Sequence, residues 1–211
     1  RTIYEKEGRM IRPFKTVFFD AGGTLLHPYP SVGEIYAEVA ARHGCQVSPA
    51  EVQTRFTDVW RHLEGISRLS SYCDEKIERT WWRNIVQEVF SCWQGLRDFD
   101  AFFSELYHLF ASPEVWRLYP GVLEVLETLR AQGKRLAIIS NWDSRLFRLC
   151  DEMGLSPHFD FILASAVYGA SKPSPKIFEE ALARAGVNPS QAVHIGDSFE
   201  DDIKGAHQLG I

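Results

Sequence analysis

The 211-residue sequence predicts an α/β protein, a parallel sheet with an all-helical segment set into it, and three observations carry that expectation. Residues 16–19 (TVFF) form an apolar run without alternation that ends in Asp20 and a glycine-rich turn. Such a run suits a strand buried on both faces of a parallel sheet. Residues 27–116 carry helical periodicity and no strand signal. From residue 119 onward strand-like and helical patterns alternate, as in successive βαβ units.

Taken in order, the first helix is marked by Val32, Ile35, Tyr36 and Val39 and stops near Gly44. Ser48-Pro49-Ala50-Glu51 reads as the start of the next, with Ser48 as cap, Pro49 in the first turn and Glu51 closing a capping box. Its apolar face is Val52, Phe56, Val59 and Leu63. After a polar stretch at 65–74, a third helix buries Ile77, Trp81, Ile85, Val86, Val89 and Phe90, and 99–110 forms an aromatic-rich fourth. Then come a helix at 122–130, a strand at 135–139, a helix at 144–153, a strand at 159–163, a helix at 175–185, a strand at 192–195 and a helix at 201–209. One more strand is expected after residue 211, so either the chain stops short of it or that edge is absent. Residues 1–9 are polar, precede Met10 and read as a leader or tag-like segment.

Composition narrows the function classes. The chain is 45% hydrophobic and 24% charged with net charge −5, ordinary for a globular protein and without the basic excess of a nucleic-acid binder. No apolar run reaches the ~18 residues that span a bilayer, and nothing resembles a signal peptide, so no membrane partner is expected. The cysteines at 45, 73, 92 and 150 are scattered, which fits reduced thiols and a cytoplasmic location. Oligomeric state has no signature.

Four groups fall at the carboxyl ends of four expected strands: Asp20, then Ser140-Asn141, then Lys172, then Gly196-Asp197 with Asp201 and Asp202. In an open α/β sheet, residues so placed converge on one crevice. Ala21 and Gly22 carry little bulk, so the backbone there can approach a bound group closely.

The pieces DAGGTLL at 20–26, IISN at 138–141, KPSPKIF at 172–178 and HIGDSFEDDIKGA at 194–206 resemble the motifs of the haloacid dehalogenase-like (HAD) hydrolase superfamily, in the branch with a helical cap after the first motif. The resemblance implies a Rossmann-like core at 10–26 and 117–211 and a cap at 27–116. It implies a catalytic set of Asp20 as nucleophile, Ser140 and Lys172. Ala21, Gly22, Ser140, Asn141 and Lys172 would bind substrate. Mg²⁺ is the implied cofactor, held by Asp20, the Gly22 carbonyl and Asp197, with Asp201 and Asp202 supporting. Independently, crowded carboxylates repel one another unless a cation shares them, and hard oxygen ligands favour Mg²⁺.

One departure stands out. Phosphatases of the family carry a second aspartate two residues after the nucleophile as acid/base, and here that position is Gly22. The leading expectation is therefore Mg²⁺-dependent hydrolysis of a small phosphorylated metabolite with a weakened acid/base step. His27 is a substitute acid candidate. A 2-haloacid dehalogenase, whose halide leaves without a proton, is the first alternative and would want a cap arginine, for which Arg42 and Arg55 are candidates. A phosphonate-cleaving enzyme would want a cap lysine, and only Lys76 lies in that region. The last alternative is a weakly catalytic fold binding a partner through its cap, with Trp81 and Trp82 at the surface.

Overall fold

The computed structural model describes residues 14–63 and 74–211; the expectations for 1–9, for Met10, for Cys73 and for nearly all of the polar stretch at 65–74 lie outside them. In chain order, β1 (Thr16–Phe19) turns sharply into β2 (Leu26–Pro28). The helices α1 (Val32–Arg42), α2 (Pro49–His62), α3 (Glu75–Phe90) and α4 (Phe99–Leu109) follow, and β3 (Trp116–Leu118) closes the insertion. The remainder is α5 (Val122–Ala131), β4 (Arg135–Ser140), α6 (Arg145–Glu152), β5 (Phe161–Ala164), α7 (Ser165–Tyr168), α8 (Pro175–Ala185) and β6 (Ala192–Ile195). A π-helical turn (Phe199–Lys204) runs on into α9 (Gly205–His207).

The main sheet has the order β5-β4-β1-β6, parallel throughout. β1 is central and fully buried, and its side chains part between two cores. Val17 and Phe19 pack into one cluster, while Phe18 joins Ile139, Ile177 and Phe178 in the other. This is why the run needs no polar alternation. Register aligns Phe19 with Ile138 on one side and Ile195 on the other, so Asp20, Ser140 at the end of β4 and Asp197 all lie within two residues beyond one level.

The four inserted helices form a bundle in which α1 packs on α2, α2 on α3, α3 on α4, and α4 back on α1. Aromatic rings fill it: Tyr36 lies 5.7 Å from Phe56 and 5.6 Å from Phe110, and Phe90 lies 4.8 Å from Phe102. The bundle shares one hydrophobic cluster with the adjoining face of the sheet half.

Several expectations need correction. The ends of the insertion carry a two-stranded antiparallel ribbon, β2 with β3, although no strand signal was read there; each strand has three residues, too few to show alternation. Ser48 precedes α2 but its side chain caps nothing, so the capping box is not formed. Ile77, expected inside, is 49% exposed, and the next residue, Glu78, is fully buried. Asp74 sets the phase of α3 by accepting from the Ile77 amide, and Glu78 turns inward because it has a partner there. The last helix begins as the π-helical turn, whose wider ring brings Asp202 inward, and is α-helical only over Gly205–His207. Lys172 stands beyond α7, just ahead of α8, and not at the end of β5.

Candidate active site

Asp20 follows β1 and is 7% exposed. The turn after it is held by the Ala21 carbonyl, which accepts from the amides of Leu25 at 2.8 Å and Leu26 at 3.1 Å. Among the described residues the amides of Ala21 and Gly22 have no backbone partner, so two N–H donors stand beside the carboxylate. Gly23 adopts a positive φ of 79°, and a Cβ there would strike the Asp197 carboxylate at 2.3 Å. Gly196 is under the same constraint: its Cβ would meet Asp202 Cγ at 2.1 Å. These two glycines let both acids lie against the main chain.

Lys172 is buried, and its ammonium donates to Asp20 Oδ1 at 2.7 Å and Asp202 Oδ1 at 2.5 Å. Asn141 clamps the lysine's backbone: its Oδ1 accepts from Lys172 N at 2.8 Å and its Nδ2 donates to Lys172 O at 2.9 Å. The amide of Asn141 is thereby engaged in positioning Lys172. Ser140, 1% exposed, lines the same cavity as Asp20, Lys172 and Asp197.

Oxygens of Asp20, Asp197 and Asp202 gather within 4.8 Å of one another. Burial alone would raise the Asp202 carboxyl, but the bonds from His194 at 2.8 Å and from Lys172 hold it far below the ordinary range. Its second oxygen accepts from Ser198 N at 3.0 Å. His194 is pushed down by its burial and stays a neutral donor to that aspartate. Asp197 is pushed up, by burial first and then by the Asp20 charge, and burial likewise raises Asp201. Four acids thus face one lysine. The donor set fits a hard divalent cation, with Asp20 and Asp197 the acids whose oxygens are not all taken by protein donors. Asp202 is occupied by Lys172, His194 and Ser198, so it acts on the site through the lysine.

The cavity over these groups measures about 310 Å³ and draws its walls from both halves of the molecule. Tyr36, Trp60, Trp82 and Phe103 come from the helices, and Trp116, Trp142 and Arg145 from the rest. A Cβ on Gly22 would stand 3.1 Å from Trp142 Cζ3, so the indole lies where an acid/base side chain would begin. Trp142 is steadied by Trp116, 5.0 Å away.

Arg145, at the start of α6, was not singled out from sequence. It is nearly buried; burial works against its charge, and Asp143, bonded at 2.9 and 2.6 Å, more than offsets this. The only sequence signal was an Asp-Ser-Arg run soon after the Ser140-Asn141 pair. Trp82 donates to Asp143 at 2.5 Å, and Glu78 accepts from both the hydroxyl and the amide of Ser144, the latter at 3.1 Å. The helical bundle is thereby latched to the loop after β4. Burial raises the Glu78 carboxyl. It also pushes the Tyr107 phenol up to about 12, so that group stays an intact O–H.

The remaining candidates stand elsewhere. His27 points Nδ1 at the Pro28 carbonyl at 3.0 Å and packs on Tyr119. Arg42 pairs with Glu38 and Glu105, Arg55 pairs with Glu88, and Lys76 is exposed; none lines the cavity. Trp81 and Trp82 are half-buried, packed on Trp60 and on each other. Cys45, Cys92 and Cys150 are free thiols. Among the described residues no helix is long and apolar enough to cross a membrane.

A parallel sheet with a lysine-bridged carboxylate cluster at its carboxyl edge, under a helical insertion, forms a crevice where open α/β sheets bind their ligands. The chain belongs to the haloacid dehalogenase-like hydrolase family, whose model matches residues 14–210. It is 36% identical over 203 residues to haloacid dehalogenase-like hydrolase domain-containing protein 3 of Mus musculus, covering 92% of this chain and 78% of that one. It is 26% identical over 214 residues to a phosphoserine phosphatase of Thermus thermophilus, covering 93% and 86%. Among solved structures, a HAD phosphatase from Thermococcus onnurineus superposes with a TM-score of 0.62 at 25% identity, over 94% of this chain and 84% of that one.

Proposed function

We propose that this hydrolase is a Mg²⁺-dependent phosphohydrolase that works through Asp20 on a small phosphorylated molecule. The observation that carries the reading is the Lys172 ammonium held between Asp20 and Asp202 at the mouth of a cavity whose remaining acids need a cation. The phosphatase relatives support the same class of reaction.

The free oxygen of Asp20 attacks phosphorus and the bond to the leaving oxygen breaks, giving an aspartyl phosphate; water then attacks phosphorus and releases inorganic phosphate. Lys172 donates to Asp20 Oδ1 and faces the transferred group with positive charge. The Ser140 hydroxyl and the amides of Ala21 and Gly22 are donors for the non-reacting oxygens. Asp20, Asp197 and the Gly22 carbonyl, with Asp201 nearby, would hold Mg²⁺, which would supply neutralisation of negative charge at the site. No side chain at position 22 protonates the leaving oxygen.

The dehalogenase alternative is weaker because Arg42 and Arg55 lie away from the cavity, while Arg145 inside it is already paired with Asp143. The phosphonate alternative loses its amine because Lys76 is exposed and outside the cavity. Asp20→Asn tests the proposal: phosphate release from an activated aryl phosphate with Mg²⁺ should fall by at least about 10³-fold, and no acid-stable phosphoenzyme should form. Turnover that survives in this variant would remove Asp20 from the nucleophile's role.

A further inference from the structure

The walls of the cavity are largely aromatic, and among their polar groups Tyr107 and Arg145 form one small constellation away from the carboxylate cluster. Trp60 and Trp82 stack at 5.6 Å with 25° between their planes, and Trp116 and Trp142 lie 5.0 Å apart with their planes tilted by 48°. The Tyr107 hydroxyl is buried with no hydrogen-bond partner. The Arg145 guanidinium is fixed over the Tyr107 ring at 4.4 Å and the Trp82 ring at 4.9 Å, with Nε and Nη2 on Asp143. Among the described residues its Nη1 has no hydrogen bond. A buried hydroxyl without a partner is a cost that a fold retains when a ligand supplies the missing acceptor.

We propose that the cavity takes an aryl phosphate whose ring packs against the indole walls and carries a neutral hydrogen-bond acceptor that meets the Tyr107 hydroxyl and Arg145 Nη1. The inference rests on the phosphohydrolase reading and narrows it to a substrate class.

Two independent observations converge on that class. The first is shape and polarity: an aromatic ring offers a flat face to each tryptophan, and the acceptor answers two donors. The acceptor is neutral because Asp143 already balances Arg145. The second is chemistry. With Gly22 at the acid position and the Trp142 ring against it, nothing protonates the leaving oxygen. A phenolate departs with the electron pair of the broken phosphorus–oxygen bond and takes its proton from solvent, whereas an alkoxide needs the proton in the transition state. In the second step the water that attacks phosphorus supplies the proton retained by inorganic phosphate, and Asp20 is regenerated as a carboxylate.

The test uses the whole chain with Mg²⁺ and three esters: 3-acetylphenyl phosphate, 3-chlorophenyl phosphate and 2-phenylethyl phosphate. The first two leaving phenols have similar acidity and differ in the acceptor; the third keeps the ring and removes the phenolate. Both aryl esters should exceed the alkyl ester in kcat/KM by about 10²-fold or more. The acetyl ester should lead the chloro ester by about tenfold, chiefly through KM. In Tyr107→Phe, which keeps the ring and its packing, that lead should shrink to near unity. Release from all three esters without an aryl preference overturns this inference and leaves the phosphohydrolase reading standing, as does an acetyl preference that persists in Tyr107→Phe. No phosphate release from any ester overturns both.

Discussion

At the scale of single residues, the space beside Gly22 is already filled. The Trp142 ring comes within 3.1 Å of where a Cβ would sit, and the remaining atoms of an aspartate would have to displace it. Gly22→Asp alone is therefore expected to change turnover of an alkyl phosphate by less than about tenfold, although general acid catalysis is worth ~10²–10⁴-fold when the group is well placed. The double variant Gly22→Asp with Trp142→Ala should recover a large part of that factor, read as kcat on an alkyl ester. If the single variant gains as much as the double, the indole is no obstacle. Lys172 shows the opposite economy, one cation serving two acids, while Asn141 holds its backbone and leaves the ammonium free to face the cavity.

At the scale of elements, α3 joins the helical bundle to the loop after β4. Glu78 and Trp82, four residues apart on that helix, reach Ser144 and Asp143 respectively. An (i, i+4) pair lies on one face of a helix, so both contacts form in a single docking. Because burial raises the Glu78 carboxyl, the folded protein holds that proton more tightly than the unfolded chain. The stability linked to this group is present at low pH and is lost as pH rises from the ordinary carboxylate range through the raised value. Glu78→Gln keeps an acceptor for the Ser144 amide and cannot titrate. Its melting temperature relative to the parent protein should therefore climb between about pH 5 and pH 8, by calorimetry or circular dichroism. A difference that is flat with pH, or that narrows, would mean that the carboxylate is stabilised in place by its neighbours.

At the scale of the whole molecule, strands from one half and aromatic rings from the other meet at the carboxylate cluster, so a bound cation should stabilise the fold. A ligand present at 100 times its dissociation constant adds about 2.7 kcal/mol. For a chain of this length that corresponds to roughly 5–10 °C in melting temperature. The expected shift appears on adding Mg²⁺ and disappears in Asp197→Ala. An equal shift in that variant would place the cation elsewhere. The antiparallel ribbon of β2 and β3, which carries both ends of the insertion, bears on the same question, since the cavity walls on its two sides are connected through it.

The doubly buried β1, the alternation after residue 119 and the order of Asp20, Ser140, Lys172 and Asp197 were legible in the chain itself, because buried strands and short motifs are local patterns of apolarity and spacing. The helical character of the insertion was legible for the same reason. Its inward face at Glu78, the engagement of Asn141 with Lys172 and the role of Asp202 beneath the lysine were not, since each depends on a partner far along the chain. The same holds for Arg145 and Tyr107, whose side chains meet only when α4 packs over α6. Local sequence determined that this is a HAD-like hydrolase with a glycine two residues after Asp20; only tertiary packing decided that an indole lies against that glycine and that aromatic walls and a phenol unpaired among the described residues surround the cavity.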